Sequence, residues 1–136
     1  MTRPGLRGSV GLATDDEVLA LCDVIRKTCL DIHGFLRHGH LEKVYENALG
    51  HRLAKRGLQV QQQYPVPVKD EDGTLLGDFV ADLRVEGVII IEIKAAKALA
   101  DEHVAQLLGY LRATQMRHGM LVNFGAPRLE LRKLVL

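Results

Sequence analysis

Residues 82–94, Asp-Leu-Arg-Val-Glu-Gly-Val-Ile-Ile-Ile-Glu-Ile-Lys, restrict the fold more than any other stretch of this 136-residue chain. Val85 and the run Val88, Ile89, Ile90, Ile91 and Ile93 are β-branched, and Glu86-Gly87 offers a turn, so the segment predicts two antiparallel strands. Side chains alternate along a strand, so Glu92 and Lys94 share a face that Ile91 and Ile93 avoid. The loop length decides where Asp82 falls. A two-residue Glu86-Gly87 turn would send the carboxylates of Asp82 and Glu92 to opposite faces. A three-residue Glu86-Gly87-Val88 loop, with Gly87 at positive φ, sets Val85 against Ile89 and Asp82 against Glu92. The three-residue loop is the expectation adopted here.

Two carboxylates and an ammonium crowded on one strand pair are costly unless compensated, and a hard divalent cation bound through oxygen compensates them. An exposed sheet face can also carry charges of mixed sign for solubility and cross-strand pairing alone. On residues 82–94 by themselves both readings stand.

The flanking chain supplies the scaffold. Thr14 with Glu17 three residues on forms a predicted capping box, with Asp15 and Asp16 at the positive helix end. Val18, Leu21, Cys22, Ile25, Cys29, Ile32 and Leu36 then follow at helical spacing. Cys22 and Cys29 stand about 10 Å apart along that helix, too far to bridge, and read as buried thiols. After Gly39 a second helix is predicted from His40 or Leu41 to Gly57, with Leu41, Val44, Tyr45, Ala48, Leu49 and Leu53 inward. Glu42 in its first turn is either a helix-dipole carboxylate or a third acidic group aimed at the sheet. Arg52, Lys55 and Arg56 form a basic cluster, either a solvated face or a phosphate contact.

From Leu58 the period becomes two, and Pro65 and Pro67 mark an edge strand. Asp70-Glu71-Asp72-Gly73 is a hairpin turn into a strand over 74–85, whose alternation places Asp78, Val80, Asp82 and Arg84 on the face of Glu92 and Lys94, making Asp78 a reserve ligand. A helix opened by Asp101 and Glu102 buries Val104, Leu107, Leu108 and Leu111 and carries His103, Gln106 and Tyr110 on an adjacent face. Strands over 119–124 and 129–136 close the chain. Residues 1–13, with Pro4 and three glycines, are expected to be a flexible arm before one domain over 14–136.

Net charge is +1, which argues against an unspecific basic coat for nucleic acid, but the charge is segregated. Residues 70–102 hold nine acidic and three basic side chains, whereas 112–136 hold five basic and Glu130 alone. An acidic patch able to hold metal beside a basic flank suits phosphodiester cleavage. No apolar run approaches membrane-spanning length and no signal sequence is evident, so a cytoplasmic protein is expected.

The order helix, helix, three-strand meander with Asp then Glu-x-Lys, helix, strands resembles the PD-(D/E)xK nuclease superfamily. More specifically the chain resembles the small bacterial GxxExxY proteins, through Gly39-His40-Leu41-Glu42-Lys43-Val44-Tyr45, Asp82 with Glu92-Ile93-Lys94, residues 105–111 around Gln106, and Val122-Asn123-Phe124-Gly125. Ala81 stands where the superfamily name has proline. The resemblance implies an α/β (α+β) restriction-endonuclease-like core, a mixed β-sheet with helices on both faces. It implies Asp82, Glu92 and the Ile93 carbonyl as ligands of Mg²⁺ or Mn²⁺, Glu42 as an extra acidic ligand, Gln106 beside the site and Lys94 as the catalytic amine. Tyr45, His103, Tyr110, Arg52 and Lys55 are candidate substrate contacts. The expected partner is nucleic acid, DNA ahead of RNA, with self-association or a protein partner through the edge strand near Tyr64. Six aromatic residues, read mostly as core, leave few candidates for stacking bases, so backbone reading is expected. The competing functional reading is a catalytically silent nucleic-acid- or protein-binding module on the same fold.

Overall fold

The computed structural model describes residues 13–136, so all of the expected N-terminal arm except Ala13 lies outside the described residues. The element order is α1 (Asp15–Leu36), α2 (Glu42–Lys55), β1 (Val60–Lys69), β2 (Leu75–Val85), β3 (Ile89–Lys94), α3 (Asp101–Thr114), β4 (His118–Asn123) and β5 (Glu130–Val135). The five strands lie in sequence order in one mixed sheet. All neighbours are antiparallel except β3 and β4, which α3 joins as a parallel pair.

Local chemistry explains most boundaries. Thr14 and Glu17 exchange side-chain and backbone hydrogen bonds as a capping box at the start of α1. The α1 stripe of Val18, Leu21, Ile25, Cys29 and Ile32 is fully buried, and both cysteines are free thiols. Gly73 at φ 88° closes the β1–β2 turn, with the Asp70 and Asp72 carboxylates accepting from nearby backbone amides. Strand β3 sits in the middle of the sheet and is buried on both faces, as a run of isoleucines requires.

Two hydrophobic clusters flank the sheet. Leu83, Val85, Ile89, Ile91, Ile93, Met120, Val122 and Phe124 pack against α1 and α2. Val66, Ala81, Ile90 and Leu121 pack against Leu107 and Leu111 of α3 on the other side. The expected inward set of α2 needs correction: Tyr45, Leu49 and Leu53 are buried, but Leu41 is 80% exposed and Val44 is 40% exposed. The i, i+4, i+8 stripe begins at Tyr45, which leaves Leu41 as the cap residue and turns Val44 outward.

One clamp fixes the chain immediately after Lys94. The buried Asn123 amide accepts from the backbone N–H of Ala96 and Gly125 and donates to the Ala96 carbonyl and to Glu130 Oε1, while Phe124 N–H donates to the Lys94 carbonyl. Gly125 passes so close to this segment that a Cβ there would lie 2.4 Å from the Ala95 and Ala96 backbone. Gly125→Ala is therefore expected to destabilise by about 1–3 kcal/mol or more. Gly34→Ala on α1, where a Cβ meets nothing within 4 Å, should stabilise by about 0.5–1 kcal/mol. Denaturant unfolding of both variants checks the pair.

Candidate active site

The three-residue loop is present. Val85 pairs with Ile89 and Leu83 with Ile91, so Asp82 and Glu92 come opposite one another. Gly87 has φ 68°, and Glu86, which was not expected to, also adopts a positive φ of 53°. Beyond Leu83 the β2–β3 ladder stops and side chains take over. The Asp82 N–H donates to Glu92 Oε2 at 2.9 Å, and the Ile93 N–H donates to Asp82 Oδ2 at 2.7 Å. Each carboxylate thus satisfies the opposite strand's backbone, and together they wedge the strands into a fork.

The fork has a cause on the β1 side. Gln63 lies opposite Asp82, between the pairs Gln62 with Leu83 and Tyr64 with Ala81, and takes φ 54°. A left-handed residue inside a strand exchanges the faces on either side of it. Gln62 reaches α2, whereas Tyr64 packs with the α3 cluster. On β2 the exchange falls between Ala81, in the α3 cluster, and Asp82. This corrects the expected alternation: Phe79 and Ala81 face α3, and Asp78 alternates to the opposite side, away from Glu92 and Lys94.

Electrostatics at the fork are severe. Glu92 is only 4% exposed, and burial together with the facing Asp82 raises its carboxyl to about 8. Burial also raises Asp82, against the hydrogen bonds from Glu92 and Ile93 that lower it, and the charges of Glu46 and Glu42 push it further up. The pair therefore shares a proton near neutral pH.

The other candidates divide. Lys94 Nζ donates to Gln106 Oε1 at 2.9 Å, and Gln106 Nε2 donates to the Tyr110 hydroxyl at 3.4 Å, so these three side chains form one chain beside the carboxylates. Burial and the charges of Glu92 and Asp82 raise the Tyr110 phenol. The Ile93 backbone joins through its N–H, while its side chain lies in the α1–α2 core. Glu42 is exposed at the entry of α2, near enough to act on Asp82 through its charge. Among the described residues no three His, Cys, Asp or Glu side chains stand at metal-binding spacing, so Glu42 does not complete a ligand set with the pair.

Three expected substrate contacts are not brought to the fork, and a fourth is spent on a cap. Tyr45 is fully buried, stacked at 4.7 Å on Phe124, with its hydroxyl donating to the Arg37 carbonyl and accepting from the His40 N–H. His103 Nδ1 accepts from the Ala100 N–H at the start of α3. Arg52 and Lys55 lie about 15 and 20 Å along α2 from Glu42, at the rise of a helix.

Glu46 was missed. It is buried, one turn beyond Glu42, and accepts from Lys43, Gln62 and Gln63. Burial pushes its carboxyl up, but the hydrogen bonds from Gln62, Lys43 and Gln63 outweigh that and hold it below the usual range. The i, i+4 spacing from Glu42 was the available signal, masked by the neighbouring Tyr45.

A mixed sheet with helices on both faces, forked where an Asp and a Glu-x-Lys converge, is a restriction-endonuclease-like arrangement. The sequence pattern of the PD-(D/E)XK nuclease superfamily matches residues 20–134, and the chain belongs to that superfamily. The crystal structure of SSO0001 has a similar fold, with a TM-score of 0.54 at 16% identity over 85% of this chain and 77% of that one. No curated protein matches. Nucleases of this superfamily typically use divalent metal ions, and a nucleic-acid substrate follows from membership. None of the described helices is long and apolar enough to cross a membrane.

The shared proton gives a stability signature. The Glu92 carboxyl ionises at about 8 in the fold against 4.5 without it, so the native state holds a proton the unfolded chain has lost. That stabilisation is complete below about pH 4.5 and disappears as pH rises through about 8. In EDTA, the melting temperature of the wild type should fall between pH 5 and 8.5 relative to Glu92→Gln. A divalent cation held by the same oxygens would compete with that proton, so Mg²⁺ or Mn²⁺ is expected to stabilise the wild type more at pH 8 than at pH 6. Thermal melts across pH, with and without metal, check both.

Proposed function

We propose that this chain is a divalent-metal-dependent nuclease that hydrolyses phosphodiester bonds in DNA, with residues 14–136 as the catalytic unit and the cytoplasm as its place of action. The observation that carries the reading is the meeting of the Asp82 and Glu92 carboxylates in the strand fork, with Lys94 two residues further along β3. Motifs over 39–45, 82–94 and 122–125 support placement with the GxxExxY proteins. Oxygen-only donors suit Mg²⁺ or Mn²⁺, and a buried carboxyl pair that must share a proton lacks the positive charge such an ion brings. Asp82 and Glu92 would hold the cation, with the Ile93 carbonyl as a further candidate, while Glu42 stands outside the set and acts on Asp82 only through its charge. It would supply a Lewis acid for a phosphate oxygen and acidify a water.

The protein's own groups do the rest. Lys94 carries a compact ammonium whose position Gln106 fixes by accepting one of its protons. Its remaining protons can orient the attacking water and offset charge developing on the phosphorus. Asp82 and Glu92 each spend an oxygen on backbone N–H groups, which locks their orientation before substrate arrives.

Lys94→Ala should reduce cleavage of circular and linear DNA in Mn²⁺ on the order of 10²–10³-fold. The Mn²⁺-induced thermal shift of the variant should persist. EDTA should abolish wild-type cleavage, and RNA run in parallel identifies the preferred backbone. Cleavage by Lys94→Ala at the wild-type rate would remove Lys94 from the catalytic machinery, and no Mn²⁺-dependent cleavage by the wild type would sink the nuclease reading and leave a binding module.

A further inference from the structure

Phe79 is 49% exposed, contrary to the expectation that the aromatic residues are mostly core. It is nevertheless held in place. Its ring lies across Gly77, where a Cβ would come within 2.5 Å of Phe79 Cε2, and it rests against the Tyr110 ring at 6.3 Å between centroids and a 32° tilt. Gly77 leaves the space that the ring occupies, so the side chain is packed on one side while half of its surface stays open to solvent. Tyr110 links this ring through Gln106 to the Lys94 ammonium. The aromatic pair is thus the rim of the site already described.

Past that rim the surface changes character. Between the end of β1 and α3 runs a groove of about 450 Å³ lined by Pro67, Val68, Lys69, Gly109, Arg112 and Ala113. Val66 pairs with Phe79 and Pro67 with Asp78, while Gly109 precedes Tyr110, so the groove begins where the aromatic pair ends. Lys69 and Arg112 are both exposed and cationic. An aromatic face followed by a basic groove matches the alternation of base and phosphate along one strand. An intact duplex keeps its bases stacked inside and offers none to such a rim.

We infer that Phe79 and Tyr110 form a ledge on which an unpaired base of a single-stranded nucleic acid stacks, with the adjoining phosphates lying along Lys69 and Arg112. The inference rests on the nuclease reading and narrows its substrate to a single strand or a frayed end.

Binding is measured in EDTA, so that cleavage plays no part, by anisotropy and by the emission of 2-aminopurine placed within DNA and RNA oligonucleotides. Wild type should bind single strands more tightly than blunt duplex and quench the 2-aminopurine. Phe79→Ala should weaken single-strand binding about tenfold and lose the quench. Phe79→Trp should retain both, and duplex binding should not change. Comparison of the DNA and RNA arms shows which backbone the groove accepts. Wild-type single-strand affinity in Phe79→Ala, loss of affinity in Phe79→Trp equal to that in Phe79→Ala, or equal wild-type affinity for duplex would overturn the ledge. Failure of wild type to bind any oligonucleotide would also overturn it, in favour of a protein-docking rim. Mn²⁺-dependent cleavage with unaltered single-strand binding by Phe79→Ala removes the ledge and keeps the nuclease. Quenched binding without cleavage does the reverse.

Discussion

The reciprocal exchange between Asp82 and Glu92 is the interaction on which the site depends. Each side chain accepts a backbone N–H from the opposite strand, so the sheet stays satisfied where its ladder ends. Without those bonds a fork between two central strands would bury unpaired amides, each costing about 1–3 kcal/mol. With them, the fork instead concentrates two acids in a space of low polarity, and Glu92 keeps its proton to about pH 8. The geometry that saves the backbone therefore strains the charges, and the second effect is what a cation can relieve.

The fork is braced from both sides. Gln63 holds a left-handed conformation that costs a non-glycine residue about 1–3 kcal/mol, and its side chain donates to the buried Glu46 on α2. Gln62 and Lys43 bond the same carboxylate, so Glu46 gathers donors from β1 and α2 behind Asp82. On the β3 side, Asn123 and Gly125 fasten the backbone that follows Lys94, and the Phe124 ring stacks on Tyr45 of α2. The residues of the late-strand motif act by fixing where Lys94 leaves the sheet.

Much of this was legible in the sequence for identifiable reasons. A period of two over 89–94, a turn at Glu86-Gly87 and the parity of Asp82 and Glu92 leave only one loop length that joins the acids, and Val85 does pair with Ile89. The α1 cap and stripe and the edge position of the proline-bearing strand followed equally from residue pattern. Spacing put Gln106 and Tyr110 on one helix face, the resemblance put Gln106 beside the site, and the fold supplies the bond to Lys94. The face exchange at Gln63 did not, because a left-handed glutamine carries none of the signal a glycine would. That one conformation displaced Asp78 from the predicted face and put Phe79 there instead. Tyr45 was read correctly as an inward residue of α2, and only its second reading as a substrate contact fails, because the ring is buried and stacked on Phe124.

The resting charge of the site bears on how it would receive a phosphodiester. Near neutral pH the Asp82–Glu92 pair carries one negative charge, and Lys94, whose hydrogen-bond partner is the neutral amide of Gln106, carries one positive. These offset one another, but the Glu46 and Glu42 carboxylates whose charges reach Asp82 tilt the resting fork toward negative and against a phosphate. Exchange of the shared proton for a divalent cation would add one net positive charge where the backbone N–H groups already orient the carboxylates. Affinity for an anionic backbone would then depend on metal loading, whereas the proposed contacts of the Phe79 ring, Lys69 and Arg112 would act at any state of the fork. On the proposed reading, substrate capture and substrate activation would therefore reside in different side chains governed by different forces.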